Sequence, residues 1–157
     1  MRVLVLSDSH GAAGNILSAV EAQNEVRHIF FLGDGLTDLE TVEPLFKNKI
    51  IHKVAGNCDY AAFGPSTGLE VINSTKIFYT HGHMDFVKGG LSALKTRSAA
   101  AAADIVLFGH THMPCVEYEN GVYYVNPGSV GHSRSGKNTY AVIDIEKNGI
   151  MPVIINI

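Results

Sequence analysis

Apolar residues along this chain fall into two patterns. Arg2–Leu6 is a run of consecutive apolar positions after one arginine, and His28–Leu32, Lys49–Val54 and Asp104–Phe108 repeat the pattern. Apolar runs of this length without alternation predict strands buried on both faces. Between them, Asn15–Glu25 places Ile16, Leu17, Ala19 and Val20 on one side, which predicts an amphipathic helix. Leu36–Phe46 reads as a second helix whose last turn Pro44 weakens. Phe86–Ala103 reads as a third, carried by Leu91, Leu94 and the alanines, with Gly89-Gly90 blurring its start.

Elsewhere the segments shorten. Gly68–Asn73 and Lys76–Thr80 are expected strands joined by a turn at Asn73-Ser74. From Cys115 to Ile157, turn signals at Asn120-Gly121, Asn126-Pro127-Gly128 and Asn148-Gly149 separate short strands. Asn120-Gly121 between Val116–Tyr118 and Val122–Tyr124 is a hairpin signal. The expectation is a mixed α/β chain, residues 1–157 forming one domain: two βα units followed by mostly antiparallel strands.

Composition narrows the chemistry. The chain is 46% hydrophobic and 17% charged, with a formal net charge of −3. That balance excludes a disordered chain and argues against long nucleic-acid substrates. The N-terminal apolar run stops at Asp8, and no stretch is long enough to span a membrane. A cytoplasmic protein with no membrane partner is therefore expected. Eight histidines stand beside only two cysteines, so a metal site would be built from His, Asp and Asn rather than thiolates.

The polar residues that could build one follow the expected strands. They are Asp8-Ser9-His10, Gly33-Asp34, Gly56-Asn57-Cys58-Asp59, His81-Gly82-His83 and Gly109-His110-Thr111-His112. Ligands gather at the C-terminal edge of open α/β sheets. A mixed oxygen and imidazole set suits Mn²⁺, Fe²⁺, Ni²⁺ or Zn²⁺ better than Ca²⁺ or Mg²⁺. Asp8 and His10 are two apart, as are His110 and His112; in extended backbone each pair would face one side and bite one centre. A carboxylate such as Asp34 can bridge two cations.

These five blocks, in this order, resemble the signature of the calcineurin-like metallophosphoesterases. Chain length, Gly56-Asn57-Cys58-Asp59 and Asn126-Pro127-Gly128-Ser129 are most similar to the small YfcE-type phosphodiesterase branch. The resemblance implies a four-layer αββα sandwich. It implies one cation on Asp8, His10, Asp34 and His112 and a second on Asp34, Asn57, His81 and His110, with Mn²⁺ the first expectation. It implies a bridging hydroxide that attacks phosphorus in line. Asn57, Cys58 and His81 fall at catalytic positions of the family, and His83 is a candidate for substrate contact. Many members have histidine where this chain has Cys58, where it assists the leaving group with the following aspartate as its partner. Cysteine is a weaker donor in that role, so esters with stable leaving groups, such as aryl esters, are the expected substrates. A small phosphodiester and a homodimer are the expected partners. The alternatives are a phosphomonoesterase or nuclease of the same family, and a protein-interaction scaffold like the trafficking subunit that shares the fold.

Other polar residues have plainer readings. His28 and His52 lie in expected strands and read as structural. Asp38 and Asp85 read as helix caps or surface acids. His132, near Ser129 and Arg134, reads as part of a solvated loop, and Cys115 as structural.

Overall fold

The computed structural model describes residues 1–157. The apolar runs form β1 (Arg2–Leu6), β2 (His28–Phe31), β3 (Ile50–Lys53) and β6 (Ile105–Leu107). The other strands are β4 (Thr67–Ile72), β5 (Thr75–Thr80), β7 (Pro114–Glu119), β8 (Val122–Pro127), β9 (Thr139–Glu146) and β10 (Gly149–Asn156). Three helices are present, α1 (Ala13–Ala22), α2 (Leu36–Val42) and α3 (Ser92–Ala99). None is long and apolar enough to cross a membrane.

The strands make two five-stranded sheets, β10-β9-β1-β2-β3 and β4-β5-β6-β8-β7. Alternation within β1 explains the layering. Val3 and Val5 face one way and join Phe30, Ile77, Tyr79, Ile105, Leu107 and Ile143 in a core between the sheets. Leu4 and Leu6 face the other way and pack with Ile16, Val20, Leu36 and Leu39 of the first two helices. On the far side, Phe78, Val106 and Phe108 pack against Leu94 of α3. The order is thus helices, sheet, sheet, helix. Val3, Leu4, Val5 and Leu6 are fully buried, and each such side chain contributes roughly 1.5–3 kcal/mol.

The later strands are mostly antiparallel, as expected: β4 with β5, β7 with β8, β9 with β10 and β9 with β1. Two details differ from expectation. Strands β5, β6 and β8 run parallel at the centre of their sheet. The helices are shorter than the apolar pattern suggests. Pro44 turns the end of the second into a 3-10 turn, Glu43–Leu45. The third starts only at Ser92, because Phe86 (φ +52°) and Gly90 (φ +131°) break the preceding backbone.

Six strands matter for the site. β1, β2 and β3 are mutually parallel, as are β5, β6 and β8. The C-terminal loops of the two sheets meet at one edge of the sandwich: Ser129 Oγ, after β8, donates to the Asp8 carbonyl at 2.7 Å. His110 N, after β6, donates to Asp8 Oδ2 at 3.0 Å.

Candidate metal centre

All five sequence blocks converge at that edge, in two halves that share one carboxylate. In the first half, His112 Nε2 lies 3.2 Å from Asp8 Oδ1 and 3.2 Å from His10 Nε2. His10 Nε2 lies 3.7 Å from Asp34 Oδ2. In the second half, His81 Nε2 lies 3.4 Å from the same Asp34 oxygen, 3.2 Å from Asn57 Oδ1 and 3.1 Å from His110 Nδ1. Two ligands bonded to one cation at ordinary lengths stand about 3.0–3.4 Å apart, so most of these spacings suit shared cations.

Hydrogen bonds behind the histidines set which nitrogen is free. His81 Nδ1–H donates to the Leu32 carbonyl at 2.7 Å, which leaves the Nε2 lone pair facing Asp34, Asn57 and His110. His112 Nδ1–H donates to the His132 carbonyl at 2.7 Å, with the same result at its Nε2. Such outer bonds fix tautomer and ring orientation in metal sites.

The charges agree with this reading. Asp8 and Asp34 are buried, and neither has a Lys or Arg within ion-pair distance. Asp8 Oδ1 has no hydrogen-bond donor while His112, its Nδ1–H on the His132 carbonyl, is neutral at Nε2. Burial works against an ionised Asp34. The hydrogen bond and charge of His81 and the Cys58 N–H outweigh it and hold this carboxyl well below the usual range. Burial likewise opposes charge on His81, yet the Asp34 hydrogen bond and the Asp8 and Asp34 charges raise its pKa. Burial, His81 and Lys88 push His110 down to about 4, leaving it neutral with a lone pair to offer at pH 7. Buried charges persist when they are paired or bind metal. This cluster of lone pairs and carboxylates fits two divalent cations, Asp8 Oδ1 being the clearest vacant donor.

Local backbone explains how the side chains converge, and it corrects the simple spacing argument. Asp8, His10, Asp34, His110 and His112 all have positive φ, between 44° and 67°. None of the two-apart pairs is extended. His110 and His112 consequently separate, His110 into the second half and His112 into the first. Left-handed backbone costs on the order of 1 kcal/mol or more per non-glycine residue and concentrates at functional sites. Two glycines allow the close loop crossing. A Cβ on Gly33 would stand 2.4 Å from Gly56 N, and one on Gly56 would stand 2.1 Å from Asp34 Oδ1.

Asp59 departs from the role implied for it. It supports no proton donor; both carboxylate oxygens are taken by backbone. Oδ2 accepts from Asp34 N and Gly56 N at 2.8 Å each, and Oδ1 from Gly35 N and Leu36 N at 2.9 Å each. It therefore ties the β2 loop to the β3 loop and caps α2.

Cys58 is exposed, and its N–H donates to Asp34 Oδ1 at 2.7 Å. Its sulfur lies within 4.8 Å of ligand atoms of His10 and Asp34, nearer the cluster than a ligand set without thiols anticipates. Burial and the negative charge of Asp34 raise its pKa, so it stays a thiol.

His83 stands beside the second half, its ring 5.3 Å from that of His81 and 6.1 Å from that of His110. Its Nδ1 is buried without a partner. His132 is exposed in its loop, 5.9 Å from the His10 ring, and its carbonyl is what orients His112. Asp38 is neither a helix cap nor a free surface acid: it accepts from Ser9 Oγ and from Gly11 N at 2.7 Å, bracing the β1 loop. Asp85 is no surface acid either; it is buried and paired with Arg97 at 3.1 Å. His28 and His52 lie apart from the site, bonded to each other at 3.0 Å, with His52 3.3 Å from Glu70.

Sequence reasoning missed the carbonyls of Leu32 and His132, because any residue type supplies a carbonyl. It also missed Asn126, whose Nδ2 donates to the Gly109 carbonyl at 2.9 Å and to Thr111 Oγ1 at 3.0 Å, holding the loop that bears His110 and His112. The Asn126-Pro127-Gly128-Ser129 segment was the signal that could have found it.

Comparison with known proteins agrees with the geometry. The chain is 32% identical to a probable metallophosphoesterase, YsnB of Bacillus subtilis, over 94% of this chain and 86% of that one. It is 28% identical to the phosphodiesterase YfcE of Escherichia coli K12, over 98% of this chain and 91% of that one. The structure of a predicted phosphoesterase from Streptococcus pneumoniae superimposes with a TM-score of 0.86 at 28% identity, covering 99% of this chain and 88% of that one. The family model for the calcineurin-like phosphoesterase superfamily domain matches residues 1–148. By its Asp, Asn and His loops and by this match, the chain belongs to the calcineurin-like phosphoesterase superfamily.

Proposed function

We propose that this chain is a phosphodiesterase that works with two divalent cations, Mn²⁺ being the first to test. One observation carries the reading: two buried carboxylates, Asp8 and Asp34, face imidazole lone pairs and have no Lys or Arg partner. Asp8, His10, Asp34 and His112 would hold one cation; Asp34, Asn57, His81 and His110 the other. When bound, the pair supplies positive charge for phosphate oxygens and acidifies a coordinated water.

The rest is done by the chain itself. Asp34 Oδ2 serves both halves, and the Cys58 N–H bonded to Oδ1 fixes its rotation. The Leu32 and His132 carbonyls keep His81 and His112 in the tautomer that presents Nε2. His83, its ring beside those of His81 and His110, would be the side chain to contact a phosphate oxygen at the second half. Asp59, wholly committed to backbone donors, does not back the Cys58 thiol, whose pKa burial and the Asp34 charge raise. Proton delivery to a departing alkoxide is therefore weak on that side, and diesters with acidic leaving groups react fastest. Hydrolysis adds water across the P–O bond, the proton going to the departing alcohol. The relatives named phosphodiesterases support the diester choice, and the nearly neutral net charge favours a small one over a long nucleic acid.

The test is hydrolysis of bis(p-nitrophenyl) phosphate by metal-stripped protein with and without Mn²⁺, alongside Asp34→Asn. Activity restored by Mn²⁺ in the wild type and absent from the variant is the expected result. A stripped protein that Mn²⁺ never activates overturns the proposal and favours a non-catalytic scaffold.

A further inference from the structure

The loops that build the site are not alike on their outer sides. Asn57 and His81 meet at 3.2 Å from the loops after β3 and β5. Both loops run on into solvent-facing apolar residues. Tyr60 (92% exposed) and Phe63 (101%) follow Asn57, while Met84 (57%) and Phe86 (77%) follow His81. The other half is bordered by the loop after β8, where His132, Arg134 and Lys137 are exposed and Arg134 N donates to the His112 carbonyl at 3.0 Å. Met113, after β6, is also exposed, but no Phe or Tyr is exposed in the loop after β8.

Phe86 is held out deliberately by its neighbours. Asp85 is buried and doubly bonded to Arg97, at 3.1 Å from each oxygen. Val87 is buried in the core beneath α3. The Gly82 carbonyl accepts from Asp85 N at 3.1 Å and from Val87 N at 3.4 Å. Between these anchors Phe86 adopts φ +52°, a left-handed backbone that a bulky residue rarely enters. The residue stays 77% exposed and belongs to no core cluster. Its placement is local to the site: Phe86 N donates to the His83 carbonyl at 3.3 Å, and the His83 ring borders both His81 and His110. A strained, solvent-facing ring braced from both sides is what a flat apolar ligand group can cover, gaining area burial and ring stacking.

A phosphodiester has two arms, and this site has one border with exposed Phe and Tyr rings, which also carries Lys88, and one polar, cationic border without them. We propose that the enzyme selects phosphodiesters with an aromatic ring in one arm, that arm lying over Phe86 with Tyr60 and Phe63, and with a polar arm directed toward Arg134. This rests on the phosphoesterase reading and adds the substrate class to it.

The test separates ring recognition from leaving-group chemistry by using non-hydrolysable probes. Phenylphosphonate and ethylphosphonate are titrated into Mn²⁺-loaded wild type, Phe86→Ala and Phe63→Ala by calorimetry, and their inhibition of bis(p-nitrophenyl) phosphate hydrolysis is measured. Wild type should bind the phenyl compound about tenfold more tightly, in line with what one apolar group contributes in a pocket. Phe86→Ala should erase most of that preference, and its kinetic loss should fall on KM rather than kcat. Equal binding of the two phosphonates, or a preference that survives in both variants, overturns the proposal. So does a Phe86→Ala variant that changes self-association while binding phenylphosphonate as the wild type does. Absence of metal-dependent hydrolysis would instead strike the phosphoesterase reading, and the calorimetric comparison would still decide ring selection.

Discussion

Replacing Asp59 with Asn tests the claim that this carboxylate is a positioning group rather than part of a proton relay. Wild-type Asp59 accepts four backbone N–H bonds, from Asp34, Gly35, Leu36 and Gly56, all at 2.8–2.9 Å. Asparagine keeps one oxygen, so one pair of donors keeps a weaker acceptor and the other pair meets an NH₂ group. Bonds to charged groups are worth about 1.5–3 kcal/mol each, and two are lost. Asp59 is only half buried, which places the cost near the lower bound, about 3 kcal/mol. For a chain of this size that lowers Tm by about 6–12 °C. Because one lost pair includes Asp34 N or the adjoining Gly35 N, the shared carboxylate loosens as well, and metal affinity should fall by about tenfold or more. Scanning calorimetry of metal-free protein reads the first effect and Mn²⁺ titration the second. Cys58→Ser, one residue away, is the control and should leave Tm nearly unchanged. A metal-free Asp59→Asn protein that melts with the wild type would refute the positioning role.

Further predictions follow from single contacts. Gly56→Ala introduces a Cβ 2.1 Å from Asp34 Oδ1 and 2.6 Å from Asp34 N; it should cost about 1–3 kcal/mol by overpacking and remove Mn²⁺-dependent turnover, and a fully active variant would show that the loops part freely. Arg97→Met leaves buried Asp85 without its partner; Arg97 is partly exposed, so urea denaturation should show a loss of about 2 kcal/mol, and no loss would mean water satisfies Asp85. His81 and His112 both have pKa values raised above 6.5, His81 by Asp34 and Asp8 against its burial and His112 first by its hydrogen bond to Asp8. Protons thus compete with cations as pH falls through those raised values, and Mn²⁺ affinity should drop about tenfold per displaced proton and pH unit; affinities measured on both sides of that window that do not differ would contradict it. In the metal-free fold the same two histidines stabilise below pH 6.5, and that contribution is lost as pH rises through the raised values.

Much of the architecture was legible in the sequence because burial on two faces writes itself as unbroken apolar runs. Val3–Leu6 and Ile29–Leu32 read directly as central strands, and the polar residues after them marked the site's edge. Parallel pairing of β5, β6 and β8 was not legible, since strand direction depends on long-range crossovers that local pattern does not encode. At the site, residue types were legible and conformation was not. Spacing placed His110 and His112 on one centre, whereas left-handed backbone at both sends them to different halves. Asp59 looked like a partner for a side-chain donor, and only the loop crossing shows that four backbone amides claim it. Phe86 looked like the start of a helix, and its exposure follows from anchors at Asp85 and Val87 that a one-dimensional pattern does not reveal.

The central claim is that Asp34 is shared by two cation sites. Elemental analysis of metal bound per chain after equilibrium dialysis against Mn²⁺ tests it most directly, with wild type and Asp34→Asn side by side. Two ions per wild-type chain, and fewer than one tightly held ion in the variant, is the expected result. A wild-type chain that saturates at one ion or none, or a variant that still retains two, would contradict it.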